Sequence, residues 1–217
     1  MHPPSQIQTP QQNHSLMNDT HGEEGLRSKV VLLGASSVGK TALITRAVNN
    51  TFEEHSISTV GAAFKEMTVR VGDRGVTLMI WDTAGQEQFR SLAPLYHRGA
   101  NIVVIVFSII DDCSLVDAEN WATEVREQQG DNQLVLFLVG NKIDLEDERI
   151  ISFDRGVAMA KKIGAQYLEV SAKTAMGVKD MFFEIAKNSV KALDRTDVQD
   201  AIPLGDKQEG KRKVECC

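Results

Sequence analysis

Long apolar runs are scarce in this 217-residue sequence. The longest is Ile102 to Ile110, nine residues interrupted by Ser108. A bilayer-spanning helix needs roughly 20, so no span is expected. The first 25 residues hold no apolar core and do not read as a secretory signal. Cysteine is nearly missing as well. Of three, two are the last two residues, and Cys113 alone cannot build a disulfide framework, which points to a reducing, cytoplasmic setting. There is no basic surplus either. Lys and Arg number 24 against 30 Asp and Glu, a formal charge of −6, so a nucleic-acid partner is not expected. What remains is ordinary: 42% hydrophobic and 25% charged residues, the composition of a globular domain. The length suits one such domain with roughly fifty residues left for tails.

Residues 1–25 are rich in Pro, Gln, Asn, His and Ser. They carry too little apolar surface to offset the entropy of ordering and read as a disordered tail. Order begins near Ser28. Val30-Val31-Leu32-Leu33, bounded by Gly34, reads as a buried strand, followed by a helix from Lys40 to about Asn49. Runs at 64–71 and 76–82 flank Gly72-Asp73-Arg74-Gly75 and predict an antiparallel hairpin. Ile102–Phe107 and Leu134–Val139 are further buried strands. Between them Leu115, Ala118, Trp121, Ala122 and Val125 recur at helical spacing, giving a βαβ unit and a parallel sheet. A helix at 153–163, a strand at 166–170 and a helix at 177–192 follow. The last has a stripe of Val178, Met181, Phe182, Ile185 and Val190. The expected fold is α/β: a doubly wound, six-stranded, mostly parallel sheet with one antiparallel edge strand, spanning 26–192. The pattern dissolves at 193–217, which reads as a flexible tail.

Three motifs carry chemistry. Gly34-Ala35-Ser36-Ser37-Val38-Gly39-Lys40-Thr41 fits G-x-x-x-x-G-K-[ST] between a buried strand and a helix. Its glycines let backbone N–H groups turn inward on phosphate oxygens, and the helix N-terminus adds partial positive charge. Lys40 can reach the β and γ phosphates, and Thr41 can ligate Mg²⁺. This loop alone leaves ATP and GTP open. Asn141-Lys142-Ile143-Asp144, at the carboxyl end of a parallel strand, favours GTP. A carboxylate there can accept from guanine N1–H and its exocyclic amine, a pair that adenine lacks. Ser171-Ala172-Lys173, after the 166–170 strand, can supply a backbone N–H to guanine O6 and a lysine stem nearby. Trp81-Asp82-Thr83-Ala84-Gly85-Gln86-Glu87 ends the second hairpin strand. There Asp82 can hold Mg²⁺ through water, Gly85 admits a γ-phosphate close to the backbone, and Gln86 can orient an attacking water.

Together these residues resemble the small GTPases of the Ras superfamily over 26–192, which carry the P-loop NTPase fold. Ser58-Thr59-Val60-Gly61-Ala62-Ala63-Phe64 and Ser91-Leu92-Ala93-Pro94-Leu95-Tyr96-His97-Arg98-Gly99-Ala100 are most similar to the switches of the Rab family, and within it to the endosomal branch. The resemblance implies that Ser36 through Ala42 wrap the phosphates and that Thr59 ligates Mg²⁺ when a γ-phosphate is present. It implies that Phe52 stacks on guanine, and that Phe64, Trp81 and Tyr96 form an aromatic triad facing effectors. For Phe64 and Trp81, simple hairpin core is the other reading. Ser36 and Ser37 stand where Ras has two glycines, and His97 where close relatives often carry an aromatic.

The resemblance further implies a slow monomeric GTPase with Gln86 and Lys40 as its catalytic residues. Its partners would be a GAP, an exchange factor, a GDP-dissociation inhibitor, a prenylation escort protein and effectors. Cys216-Cys217 does not fit C-a-a-X. In Rab proteins this ending usually receives two geranylgeranyl groups, enough for stable anchoring where one chain is marginal. Lys211-Arg212-Lys213 would add attraction to anionic lipid. The expected life of the chain is therefore cytoplasmic, cycling to the cytosolic face of intracellular membranes and regulating endosomal vesicle trafficking. The alternative is a GTP-locked binding module with negligible hydrolysis.

Overall fold

The computed structural model describes residues 26–54, 59, 62–83, 98–129 and 134–199, with side chains through 192. Six strands form one sheet in the order β2-β3-β1-β4-β5-β6. They are β1 (Leu26–Leu33), β2 (Ala62–Val71), β3 (Arg74–Thr83), β4 (Ile102–Ser108), β5 (Val135–Asn141) and β6 (Gln166–Glu169). Every neighbouring pair is parallel except β2 with β3, so the one antiparallel strand lies at an edge, as the sequence predicts. The hairpin turn is tighter than expected. Val71 pairs with Arg74, leaving only Gly72-Asp73 as the connection. Gly72 at φ 58 supplies the positive angle at the first turn position that two-residue hairpins favour.

The central strands are buried on both faces, which is why they read as unbroken apolar runs rather than alternating ones. Val30 and Leu32 point to one layer, with Leu43 and Ile44 of α1 (Lys40–Asn49) and Phe182 and Ile185 of α4 (Val178–Gln199). Val31 and Leu33 point to the other. There Trp121 and Val125 of α2 (Asp112–Gln129) and Ala160 of α3 (Phe153–Lys162) cover them. Burying each large side chain fully contributes about 1.5–3 kcal/mol. β1 starts four residues before the apolar run, because register with β3 recruits Leu26 through Lys29 by backbone pairing. The last helix runs to Gln199, seven residues past the end predicted from its stripe. Residues 1–25 and 200–217 lie outside the described residues.

Since β1, β3, β5 and β6 run the same way, the residues that follow or end them gather at one edge of the sheet, where open α/β folds bind ligands. The approach to the last of these loops is braced by charge. Arg149 grips both oxygens of Glu169 at 2.9 Å, and the Tyr167 hydroxyl donates to Glu169 Oε1 at 2.7 Å. Burial first, and then this hydrogen bond, push the Tyr167 phenol above its ordinary pKa. The folded state thus holds that proton more tightly than the unfolded chain. Its contribution to stability is complete below about pH 10 and is lost as pH rises further. Tyr167→Phe is expected to flatten the decline of the urea midpoint above that pH; parallel alkaline limbs would remove the assignment.

Candidate functional site

The loop between β1 and α1 is shaped by two glycines. Gly34 has φ +138, and a Cβ on it would lie 2.1 Å from the Val106 carbonyl oxygen. Gly39 has φ +98, and its Cβ would lie 2.3 Å from Asn141 Nδ2. Both positions exclude side chains by conformation and by space. Within this loop Lys40 is 5% exposed, and its Nζ donates to the Gly34 and Ala35 carbonyls at 2.8 Å each. Burial lowers its pKa to about 8, against the opposing charge of Asp82. A cation is therefore held in a poorly solvated loop with one of its three N–H donors to spare among the described residues.

Beside it lies a cluster of oxygens. Thr41 Oγ1 donates to Asp82 Oδ2 at 2.6 Å and sits 2.8 Å from Thr59 Oγ1. The other carboxylate oxygen, Asp82 Oδ1, is buried with no hydrogen-bond partner among the described residues. Burial raises the Asp82 pKa, while the Thr41 hydrogen bond and the Lys40 charge resist. A buried, unpaired carboxylate oxygen is costly unless something completes it. Two hydroxyls and a carboxylate are hard oxygen donors, the set that suits Mg²⁺. The three predicted metal residues thus fit that ion.

At the other end, Asn141 ties two motifs together. It is 2% exposed; its Nδ2 donates to the Val38 carbonyl at 2.8 Å, and its Oδ1 accepts from Ala172 N–H at 3.1 Å. Offering that N–H to guanine O6 therefore requires sharing or exchange of the Asn141 bond. Asp144 Oδ1 accepts from Ser171 Oγ at 2.5 Å, and Ser171 Oγ in turn accepts from Thr174 N–H at 3.0 Å. The carboxylate is thereby held in place with Oδ2 left for a ligand. Lys142 adopts φ 72, an angle uncommon outside glycine, at the turn out of β5. Lys173 reaches Glu54 at 2.9 Å, closing the loop over the base end.

A cleft of about 410 Å³ runs between these ends. Ser36, Ser37, Gly39, Lys40, Thr41, Ala42, Phe52, Thr59, Asn141, Lys142, Asp144, Ala172 and Lys173 all line it. Val38 and Ser171 are buried behind it and act through the bonds above, while Asp82 meets it through Thr41. Glu53, Glu54, Thr83 and Leu145 also line the cleft, although the sequence did not single them out as site residues. Thr83 lies within the 81–87 motif and Leu145 directly follows the 141–144 motif, which was the available signal. Arg46 had none. From α1 its guanidinium donates to the Ala172 carbonyl at 2.9 Å and the Lys173 carbonyl at 2.8 Å, pinning the base-end loop to the helix that starts at the phosphate loop. Arg46→Ala is expected to weaken GDP binding about tenfold, since two charge-donated bonds to that loop are lost. Equal dissociation rates for mutant and parent would remove this link.

Phe64 is 46% exposed and packs edge-on against Trp81 with ring centroids 5.3 Å apart. Phe64 is thus surface rather than hairpin core. Trp81 is partly buried against the second core layer, with Lys29 Nζ 5.5 Å from its ring. Gly85, Gln86, Tyr96, Cys216 and Cys217 lie outside the described residues.

A strand–loop–helix cradle facing a carboxylate-bearing loop at the carboxyl edge of a parallel sheet defines a P-loop nucleotide-binding domain. Comparison with known proteins narrows the class. Residues 29–191 match the Ras family. The chain is 41% identical over 192 residues to Ras-related protein Rab5 of Nicotiana tabacum, covering 88% of this chain and 96% of that one. It is 45% identical over 166 residues to Ras-related protein RABF2a of Arabidopsis thaliana, covering 76% and 82%. It is 41% identical over 162 residues to Ras-related protein Rab-21 of Homo sapiens, covering 75% and 72%. The chain belongs to the Ras family and, within it, to the Rab small GTPases.

Proposed function

We propose that this chain is a switch that binds GTP, hydrolyses it to GDP, and recruits effectors in endosomal vesicle trafficking while GTP is bound. The observation that carries this reading is the single cleft with Lys40 and Thr41 at one end and Asp144 and Lys173 at the other. Lys40 and the loop N–H groups take the phosphates, and Asp144 takes the guanine edge. Phe52 offers a ring to the base. Thr41, Thr59 and Asp82 would hold Mg²⁺, which neutralises phosphate charge when bound. Gln86 orients the attacking water. Little covalent work falls to the protein in such a reaction; positioning and charge stabilisation carry it. The slow step gives the switch its lifetime, and an arginine from a GAP speeds it. Contacts to the γ-phosphate order the segments around Thr59 and Gln86, and hydrolysis releases them.

Phe64, Trp81 and Tyr96 form the effector surface in this reading. Lipid on Cys216 and Cys217 holds the protein at the cytosolic face of endosomes. An exchange factor, a GDP-dissociation inhibitor and an escort protein serve the cycle. Similarity to proteins named Rab5, RABF2a and Rab-21 supports the endosomal assignment. Gln86→Leu tests the hydrolytic step. It should slow intrinsic single-turnover hydrolysis about 10²-fold, within the range a positioning group contributes, and leave GTP affinity within about twofold. An unchanged intrinsic rate removes Gln86 from the mechanism. The second reading, a GTP-locked binding module, is favoured by Ser36, which is exposed and lines the phosphate end of the cleft, where a side chain could crowd an in-line water. It requires that the parent chain fail to turn over even with a GAP.

A further inference from the structure

A second groove, of about 600 Å³, lies between the C-terminal turn of α1, the strand β2 and the first turns of α4. Its floor is apolar, made of Met67 and Val69 from β2 with Val178, Phe182 and Phe183 from α4. Phe183 is 42% exposed, so the described residues cover this ring only in part. The charged residues that line the groove are Arg46, Arg70 and Lys179, and none is acidic; Arg70 does so from the outer edge of β2, one residue out of phase with Val69. Arg46 is engaged by backbone carbonyls. Arg70 and Lys179 are exposed and form no ion pair with the described residues.

The chain enters the fold beside this groove. Leu26, Val76 and Val69 stand in one row across β1, β3 and β2, two strand spacings or about 10 Å from end to end. The next row, on the side from which the chain enters β1, pairs Gly75 with Arg70. Leu26 packs on the same core layer as Met67 and Val69, so it faces the groove's side of the sheet.

The 25 residues that precede Leu26 complement the groove. They contain no Lys or Arg, and their three acids, Asp19, Glu23 and Glu24, fall within the last seven positions. Leu16 and Met17 are their only adjacent pair of large apolar residues. The nine steps from Met17 to Leu26 span at most about 30 Å, three times the row. The other terminal segment is a poorer occupant. The 16 residues of α4 beyond Phe183 carry the chain about 24 Å along the helix axis. The segment that follows includes Lys211-Arg212-Lys213, of the same sign as the rim.

We propose that the leader docks on its own domain, with Leu16 and Met17 seated in the β2–α4 groove and Asp19, Glu23 and Glu24 facing Arg70 and Lys179. The apolar pair is the anchor. Exposed ion pairs contribute little singly and mainly fix the direction of approach. The docked leader covers Phe183 and the β2 edge in cis, so other chains meet this face only when it is displaced.

Hydrogen exchange on the full chain, with GDP in excess, tests this. Leu16→Ser with Met17→Ser should speed exchange in peptides covering 67–70 and 179–183 about tenfold, leaving β4 and β5 peptides unchanged. Arg70→Glu with Lys179→Glu should speed the same peptides, and adding Asp19→Lys, Glu23→Lys and Glu24→Lys should slow them again. Exchange indifferent to the Leu16 and Met17 changes overturns the proposal. Protection that vanishes on dilution of the parent chain also overturns it, because a second copy would then be the occupant.

Discussion

Asp144→Asn is expected to reverse the base preference from guanine to xanthine nucleotides. In the proposed site the carboxylate would accept two hydrogen bonds from donors on the guanine edge, and the asparagine amide turns one of those acceptors into a donor. Guanine then meets a donor with a donor, while xanthine, with an oxygen at that position, meets it with an acceptor. Charge-assisted bonds contribute about 1.5–3 kcal/mol each, so GTP affinity should fall roughly 10²- to 10⁴-fold while XTP affinity rises. The setting favours a clean exchange. Ser171 Oγ already holds Asp144 Oδ1 at 2.5 Å and is itself fixed by Thr174 N–H. An asparagine keeps its carbonyl oxygen on Ser171, where that atom has a second lone pair for the base N1–H, and presents its amide to the neighbouring exocyclic position. Competition between GTP and XTP for the mutant is the measurement, and continued preference for GTP would sink the base assignment.

The parts of this molecule that were legible in its sequence share one property: each is set by residues near each other in the chain. Strands buried on both faces announce themselves as Val30–Leu33 and Ile102–Phe107, because every side chain must be apolar. The stripe from Leu115 to Val125 gives α2 for the same reason, at helical period. The phosphate loop is legible because Gly34 and Gly39 occupy angles and spaces that admit no side chain, which ties the motif to its spacing. The hairpin turn was misplaced because Arg74 and Gly75 look like turn residues, whereas ten consecutive cross-strand pairs extend β structure through both.

What was not legible depends on contacts across the fold. Arg46 looks like an exposed helix residue until α1 is placed against the loop after β6, 126 residues away in sequence. Asn141 was read as part of a base-recognition motif, but its side chain spans the phosphate loop and Ala172. It therefore couples the two ends of the cleft. Phe64 was open between core and surface because β2 is an edge strand, where period alone does not say which face is covered; its exposure decides it. Asp82 Oδ1 likewise has no sequence signature, since what marks it is the absence of a partner among the described residues of a folded site.

Lys40→Met should weaken nucleotide binding strongly and leave base discrimination intact. Methionine keeps most of the aliphatic length and removes the charge. In the parent, Lys40 Nζ is fixed between the Gly34 and Ala35 carbonyls, and burial has already brought its pKa to about 8. The ammonium is thus pre-positioned and weakly solvated, the condition under which a phosphate gains most from it. The one N–H left over can make one charge-assisted bond to a GDP phosphate, and its loss at about 1.5–3 kcal/mol corresponds to a fall in GDP affinity of roughly 10- to 10²-fold. Stability of the nucleotide-free fold should change far less. Relief of the buried charge offsets the two loop carbonyls left unpaired, so the urea midpoint reports folding separately from binding. Guanosine, which carries no phosphate, discriminates further, because its weak binding should be the same for mutant and parent. The Asp144→Asn protein should show the converse, losing guanosine while keeping its response to the number of phosphates. If Lys40→Met binds GDP within about threefold of the parent, or if it loses guanosine as well, then Lys40 holds the loop together rather than the phosphates.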